Sequence, residues 1–497
     1  MMSHTRTMAG RWLLRHAMTL GLVLAAGTVL AARPSGEIGK DWGDPEGEKC
    51  VECHLTENPG LTMEWNHSQH GQSGVNCLDC HKAEKGDADA FEHKKQLISI
   101  IVTPKDCSRC HKQEFEEMDG SHHAHAGRIL ASLDNLLGEV VGGPAVVNAG
   151  CRQCHGAKVE IGKDGRPTPG TWPNTGIGRL NPDGSEGSCT ACHGRHRFSK
   201  AQARTPDTCG KCHVGPDHPQ KEVYEESKHG ILYKAFVEEM NLESDKWVAG
   251  VDYTAAPTCA TCHMSRAGDQ PKTHNVGDRI SWTLRPPISQ KINLVRLENG
   301  QEFDVKEGGE IPKVGDAAKD SKVVEVVTWK ERRAKMQEVC AACHSEGVID
   351  GHYKQFDDVV DLYNEKFAKP IAAMMGELKK AGYITPTPFD EPIEWTWWEI
   401  WHHEGRRTRH GAAMNGPDYT WWHGMYEVAK HTYFEWIPEM KEVVHKKDGN
   451  EKFADAMLEK YLKPIEGHAW YFEGMSKDQI DKVRKGFEER YGKGALK

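Results

Sequence analysis

Eight Cys-x-x-Cys-His motifs run along the first two-thirds of the chain and use all 16 of its cysteines. In order, the thiol pairs are Cys50 and Cys53, Cys77 and Cys80, Cys107 and Cys110, Cys151 and Cys154, Cys189 and Cys192, Cys209 and Cys212, Cys259 and Cys262, and Cys340 and Cys343. The histidines that close them are His54, His81, His111, His155, His193, His213, His263 and His344. Two thiols one helical turn apart can form thioethers with the two vinyl groups of one porphyrin, and the adjoining histidine then meets the iron from the proximal face. The pattern predicts eight covalently bound c-type haems, each with its iron. A zinc site built from four thiolates has no use for a histidine after every second cysteine. A disulfide framework suits a short secreted domain, whereas 497 residues can bury a core without staples.

The chemistry then turns on the sixth coordination position. A haem that only passes electrons takes two strong axial ligands, while a catalytic haem keeps one position open for substrate. The chain has 28 histidines. Eight close the motifs, and His4 and His16 lie in the leader described below, which leaves 18. Several of these sit in a small-residue context that would let a ring approach a porphyrin: Ser68-Gln-His70-Gly71, Ser227-Lys-His229-Gly230 and Arg409-His410-Gly411. Others lie at short offsets from a motif, such as His196 after His193 and His274 after His263. A lone histidine in such a context is also an ordinary surface or structural residue, so spacing alone leaves the ligand set open.

The segments that must carry these groups can be read more coarsely. Arg6, Arg11 and Arg15 precede an apolar stretch from Met18 to Leu30, and Val29-Leu30-Ala31 suits cleavage after Ala31. This is the pattern of a secretory signal over 1–31, with a stretch well short of the ~20 residues a spanning helix needs. It predicts a periplasmic protein, exported across an inner membrane to where covalent haem attachment occurs. The formal charge is −9, and loss of the three leader arginines takes it to −12. An acidic surface argues against nucleic acid and favours a basic redox partner.

The expected fold is mainly α and loop-rich: a multihaem cytochrome c with an octahaem core over 32–347 and a C-terminal helical region over 348–497 that packs on it as a bundle. With about 62 residues per motif, the porphyrins must supply much of the apolar interior, which is how a chain with 38% hydrophobic residues can fold compactly. Lys291 to Leu297 followed by Asn299-Gly300 reads as a local hairpin, and Gly162 to Gly187 reads as a long loop. Helical periodicity marks Asp357 to Lys380, Trp422 to Trp436, Lys452 to Tyr461 and Lys477 to Tyr491. The tryptophans Trp395, Trp397, Trp398, Trp401, Trp421 and Trp422 are expected over porphyrin faces, at a subunit interface or in a plain aromatic core.

Two stretches carry a resemblance. CTACHGRHRFSKAQARTPDTCGKCHVGPDHPQKEVYEESKHG, from Cys189 to Gly230, resembles the fifth and sixth haem segment of the octahaem hydroxylamine oxidoreductase (hydroxylamine dehydrogenase) family. CATCHMSRAGDQPKTHNVG, from Cys259, resembles that family's seventh haem with a distal Thr-His-Asn. The resemblance covers most of the chain beyond the leader. It implies seven distal ligands, matching His70, His93, His125, His196, His229, His274 and His410, with His122, His123, His403 and His423 as rivals. Seven ligands for eight haems leave one open iron, in the family the fourth, here at Cys151, Cys154 and His155. It also implies an Asp-His pair over that iron, matching Asp217 and His218, although Gly-Pro-Asp-His-Pro is by itself an ordinary turn signal.

Oxidative members cross-link a tyrosine from a neighbouring subunit of a homotrimer to the catalytic porphyrin. The best match is Tyr419 in Asn415-Gly-Pro-Asp-Tyr419-Thr, with Tyr426 second. The loop before Tyr419 looks shortened, the fourth-to-fifth haem loop is longer, the first-to-second segment is shorter, and the family's C-terminal membrane tail is missing. Those departures resemble members that run reductively. The expected activity is oxidation of hydroxylamine at one open haem, with electrons leaving to a soluble or membrane cytochrome. The alternatives are reduction of nitrite or hydroxylamine towards ammonia, and a conduit with every haem bis-histidine. Hydrazine fits the same open iron.

Overall fold

The computed structural model describes residues 45–129, 136–318 and 320–494, so the leader over 1–31 lies outside the described residues. The chain divides into two compact units, up to Asn76 and from Cys77 onward. In the first, the motif at Cys50 lies within helix Pro45–Glu57, followed by helices Pro59–Asn66 and Gln69–Gln72.

The second unit begins with short elements that each present one motif. Cys77–His81, Cys151–His155 and Cys259–His263 are single helical turns, and Cys340 lies near the end of helix Trp329–Ala341. A single helical turn places the two thiols of each motif on one side, which thioether attachment requires. Between them the chain is largely loop. Residues 162–187 form no helix or strand, as the glycines and prolines there predict.

The hairpin expected near Asn299-Gly300 forms, but it belongs to a larger sheet. Strands β1 (Phe91–His93) and β2 (Gln96–Ile98) pair with each other. β3 (Trp282–Thr283), β4 (Gln290–Leu297), β5 (Glu302–Lys306), β6 (Ala317–Ala318) and β7 (Ser321–Val327) form a five-stranded antiparallel sheet. β4 pairs with β3, β5 and β7, so Ile292, Asn293, Leu294 and Val295 are all buried, and the half-buried alternation that flags a strand is lost.

From residue 346 the chain is helical, and the observed helix starts eleven residues before the expected Asp357: Glu346–Tyr363 continues through a π-helical turn, Asn364–Ala368, into Lys369–Ala381. The same device recurs at Thr432–Trp436 before Ile437–Asp448. In both cases a proline follows at once, Pro370 and Pro438. Proline has no amide hydrogen to donate and its ring crowds the carbonyl four residues back, so a locally widened turn lets the helix pass without breaking.

Ile371, Met374 and Leu378 on one helix face Ile437, Met440 and Val444 on another, each set at the spacing of a single apolar stripe. Tyr363, Ile393, Ile400, Trp436, Leu458 and Leu462 complete this core. Helices Lys452–Tyr461 and Lys477–Tyr491 have the expected bounds. The second does not join the bundle: a Ser476–Gln479 capping box starts it, but none of its residues is buried. Of the tryptophans, Trp401 is in the core, Trp397 and Trp398 pack against it, Trp395 lies over Phe389, and Trp421 and Trp422 are exposed. No helix among the described residues is long and apolar enough to cross a membrane.

Candidate functional site

The motif histidines are oriented before any ligand is considered. His81 Nδ1 donates to the Ser99 carbonyl at 2.8 Å and His263 Nδ1 donates to the Val276 carbonyl at 3.1 Å. His54 Nδ1 lies 2.8 Å from Asn58 Oδ1. Holding Nδ1 as the donor leaves the Nε2 lone pair for a metal, the usual arrangement around a ligating imidazole. None of the 16 cysteines forms a disulfide.

Two imidazoles on opposite faces of one iron, with metal–nitrogen bonds of about 2.0 Å, hold their ring centroids about 6–6.5 Å apart. Four motif histidines have a partner at that spacing. His81 faces His196 at 6.4 Å, His193 faces His274 at 6.5 Å, and His344 faces His229 at 5.9 Å. All three partners belong to the set drawn from the resemblance. His213 has two rings at that spacing, His123, one of the rivals, at 6.0 Å and His218 at 6.3 Å. Burial pulls His123 down to about 3, and His196 and His213 to about 4, so these rings are neutral, the form that binds metal. Each gap therefore fits an iron ligated from both sides.

The other expected ligands stand in different surroundings. His93 ends strand β1. His125 is engaged through Nδ1 with Glu186 Oε2 at 2.6 Å. His410 Nε2 lies 3.3 Å from Gln220 Nε2, and Gln220 Oε1 lies 3.4 Å from His213 Nδ1. His70 and His229 occupy identical turns. Ser68 Oγ accepts from Gly71 N at 3.0 Å and donates to Trp65 O at 2.6 Å. Ser227 Oγ does the same with Gly230 N and Tyr224 O, at 3.2 and 2.7 Å. The glycines serve this turn rather than approach to a porphyrin: a Cβ on Gly71 would lie 2.4 Å from Trp65 O, and on Gly230 2.1 Å from Tyr224 O.

The motifs from Cys77 onward also lie near one another. Cys107 lies beside Cys189, Cys154 beside Cys212, and Cys209 beside Cys259. Cys80 is within electrostatic range of Cys107, Cys192 of Cys209, and Cys262 of Cys340 and Cys343. Seven attachment points thus form one connected series.

Asp217 and His218 come together as expected. His218 Nδ1 lies 2.5 Å from Asp217 Oδ1, and burial, first among several influences that include both residues, lowers the basicity of His155. The pair is held by residues the sequence did not single out. Arg406 Nη1 lies 3.3 Å from Asp217 Oδ2, and Arg407 Nε donates to the Pro216 carbonyl at 2.8 Å. His402 Nε2 is 3.8 Å from Asp217 Oδ2, with its ring stacked on Trp398 at 4.0 Å. Burial would raise the Asp217 carboxyl, but the His218 hydrogen bond and the Arg406 charge outweigh it and hold the group well below the usual carboxylate range. Burial and then Arg406 push His402 down to about 3.

The tyrosines lie nearby in the chain but differ in environment. Tyr419 is half-buried, its amide 3.4 Å from Glu226 Oε1 and its ring 5.8 Å from His423. Tyr426 is exposed beside Trp421 and Trp422.

Comparison with known proteins agrees with this geometry. Residues 183–305 match a family described as seven times multi-haem cytochrome CxxCH, and residues 31–82 match cytochrome c554 and c-prime. A Kuenenia stuttgartiensis protein named a probable nitrite reductase-hydroxylamine oxidoreductase fusion protein is 30% identical over 326 residues, covering 60% of this chain and 34% of that protein. A solved structure titled hypothetical multiheme protein superposes with a TM-score of 0.68 at 25% identity, covering 81% of this chain and 97% of that one. The chain is a multihaem c-type cytochrome, similar in sequence to a protein named for hydroxylamine oxidoreductase.

This cytochrome spans about a third of the length of that curated relative. It also shares its fold, at a TM-score of 0.54 and 20% identity, with a Kuenenia stuttgartiensis reducing HAO-like protein complex, covering 84% of this chain and 86% of that one. A cytochrome c-552 from Haemophilus ducreyi is 25% identical over 88 residues, 17% of either chain. Covalently bound haem follows from the motifs and from these cytochrome matches.

Proposed function

We propose that this cytochrome carries eight c-type haems, acts in the periplasm, and oxidises hydroxylamine at the haem held by Cys151, Cys154 and His155. The observation that carries this reading is the Asp217–His218 pair within electrostatic reach of His155. When bound there, the haem supplies an iron that can take a small nitrogen ligand and accept its electrons. The chain's own residues handle the protons. Asp217 accepts from His218 Nδ1, which fixes the tautomer and leaves Nε2 as the base that takes protons from the substrate nitrogen. Arg406 keeps Asp217 ionised, so the imidazolium that forms has a charged partner. The series of neighbouring motifs then favours electron movement from one attachment point to the next, out to an external cytochrome.

Reduction of nitrite or hydroxylamine by the same site is the second reading. Tyr419, the better match to the cross-linking tyrosine, follows a shortened loop that resembles reductive members, which favours a haem without that cross-link. Homotrimer formation belongs to the oxidative reading, because there a tyrosine must come from a neighbouring subunit. Steady-state hydroxylamine oxidation and nitrite reduction, assayed on one preparation with mass spectrometry of its haem peptides, separate the readings. Faster oxidation with a tyrosine adduct supports the first; faster reduction without an adduct replaces it with the second. A spectrum with every haem low-spin and unreactive to added ligand removes both and leaves an electron conduit.

A further inference from the structure

Far along the chain from the haem motifs, at the turn that leads from helix Lys369–Ala381 into helix Pro392–Trp398, three carboxylates converge. Asp390, Glu391 and Glu394 each offer an oxygen within 4.8 Å of the other two. An acidic cluster on a surface is unremarkable, since water and salt neutralise it. This one is different because part of it is out of water. Glu394 is only 7% exposed, and its Oε2 is buried with no hydrogen-bond partner. Glu391 Oε2 is buried and unpartnered in the same way.

The opposite oxygens of the same groups are satisfied. Lys379 Nζ lies 3.3 Å from Glu394 Oε1, and Glu391 Oε1 accepts from the Thr385 amide at 2.7 Å. Thr385 Oγ1 lies 3.0 and 2.9 Å from the two Asp390 oxygens. One ammonium therefore faces three carboxylates, and two oxygens are left bare inside the protein. A bare buried carboxylate oxygen costs several kcal/mol unless something neutralises it. Two neutralisers are possible: a proton shared between Asp390 and Glu391, or a cation.

We propose that Asp390, Glu391 and Glu394 bind one calcium-sized divalent cation. Calcium takes oxygen ligands at 2.3–2.6 Å, so ligands on opposite sides of one ion stand at most about 5 Å apart. The three oxygens lie within 4.8 Å of one another, inside that span. Magnesium usually takes only one or two protein carboxylates, fewer than the three gathered here. Asp390 is exposed, which leaves room for waters to fill the remaining positions. The site would fasten the entry of the helix that runs on to His402 and Arg406, the residues that grip Asp217.

The test is titration calorimetry with calcium chloride on the full-length, haem-loaded protein after EDTA treatment and desalting. The wild type is expected to bind one calcium per chain and to melt at a higher temperature with calcium present. Glu394→Gln and Asp390→Asn are each expected to weaken that binding at least about tenfold, because ligand charge sets calcium affinity. Asp390 is exposed, so its variant decides the matter alone should the Glu394 variant fail to fold. Absence of calcium binding to the wild type overturns the proposal in favour of a shared proton. Binding left unchanged by Asp390→Asn overturns it in favour of a site elsewhere.

Discussion

Arg406 Nη1 stands 3.3 Å from Asp217 Oδ2, joining two residues 189 positions apart. Arg407, the next residue, holds the Pro216 carbonyl at 2.8 Å. The cysteine-free helical region is therefore more than a scaffold at the back of the haem core. It grips the loop that carries the Asp-His pair, at both a side chain and a backbone. Arg406 is itself fixed, with its Nε on the Arg285 carbonyl at 3.0 Å and its guanidinium 5.1 Å from the Trp401 ring centre.

Asp217→Asn is the most direct challenge to this arrangement. The amide keeps the size of the carboxylate but cannot carry charge and can present a donor to His218, which permits the wrong tautomer. Turnover with hydroxylamine is expected to fall about 10²- to 10⁴-fold, the range a positioned acid–base group contributes. The haem spectrum should stay unchanged. Steady-state kinetics beside a pyridine haemochrome assay checks both, and near-wild-type turnover would remove the pair from the mechanism.

Arg406→Ala should act through Asp217 rather than on substrate. The expected result is a smaller loss, about tenfold, carried by kcat with KM little changed, because no group touching substrate is removed. Arg406→Lys restores the charge without the fork and should recover part of the rate. A rise in KM at constant kcat would instead place Arg406 in binding.

How much of this could be read from the sequence follows from the range of each interaction. The attachment motifs were legible because their chemistry lies within five residues. The Asp217–His218 pair came from the resemblance alone, since Gly-Pro-Asp-His-Pro by itself reads as a turn. Which imidazole faces which motif was not legible, because it depends on distant segments meeting. His122, His123 and His125 sit too close together for spacing to choose between them. The fold makes the choice by engaging His125 Nδ1 with Glu186 and turning His123 towards His213. Arg406 and His402 left no local signal either, since they follow from a π-helical turn, Glu399–Glu404, that breaks the 3.6-residue pattern. Strand β7 was missed because only Val323 and Val327 are buried along it, and its partner β4 lies more than 20 residues earlier.

His196→Ala tests the ring pairing. With His196 at 6.4 Å from His81, removing it should leave the haem at Cys77 and Cys80 with one protein ligand. Electron paramagnetic resonance should then show one additional high-spin haem and one fewer low-spin signal. The companion variants His123→Ala and His125→Ala separate the rivals: only the first is expected to change the haem at Cys209 and Cys212. An unchanged spectrum for His196→Ala would mean that the pairing seen between rings is not ligation.

The helical core should lose stability in acid through His468. This residue is 1% exposed, and its two ring nitrogens have different partners. The Tyr433 hydroxyl donates to Nδ1 at 2.6 Å, while Nε2–H donates to the Lys366 carbonyl at 2.8 Å. That arrangement specifies the neutral ring. Burial lowers the folded-state value below the ordinary 6.5, outweighing the Lys366 carbonyl, which favours the charged form. Below 6.5 the unfolded chain binds a proton that the folded chain resists, so unfolding takes up protons and stability falls as pH decreases from 6.5 towards the folded value. Above 6.5 both states are neutral and the contribution is flat. Urea unfolding followed by far-ultraviolet circular dichroism at pH 5.5 and pH 7.5 should show the difference. His468→Gln should shrink it, and Tyr433→Phe, which strips Nδ1 of its donor, should cost about 1 kcal/mol at pH 7.5. Equal stability of the wild type at both pH values would show that the His468 ring takes up its proton without disturbing either contact.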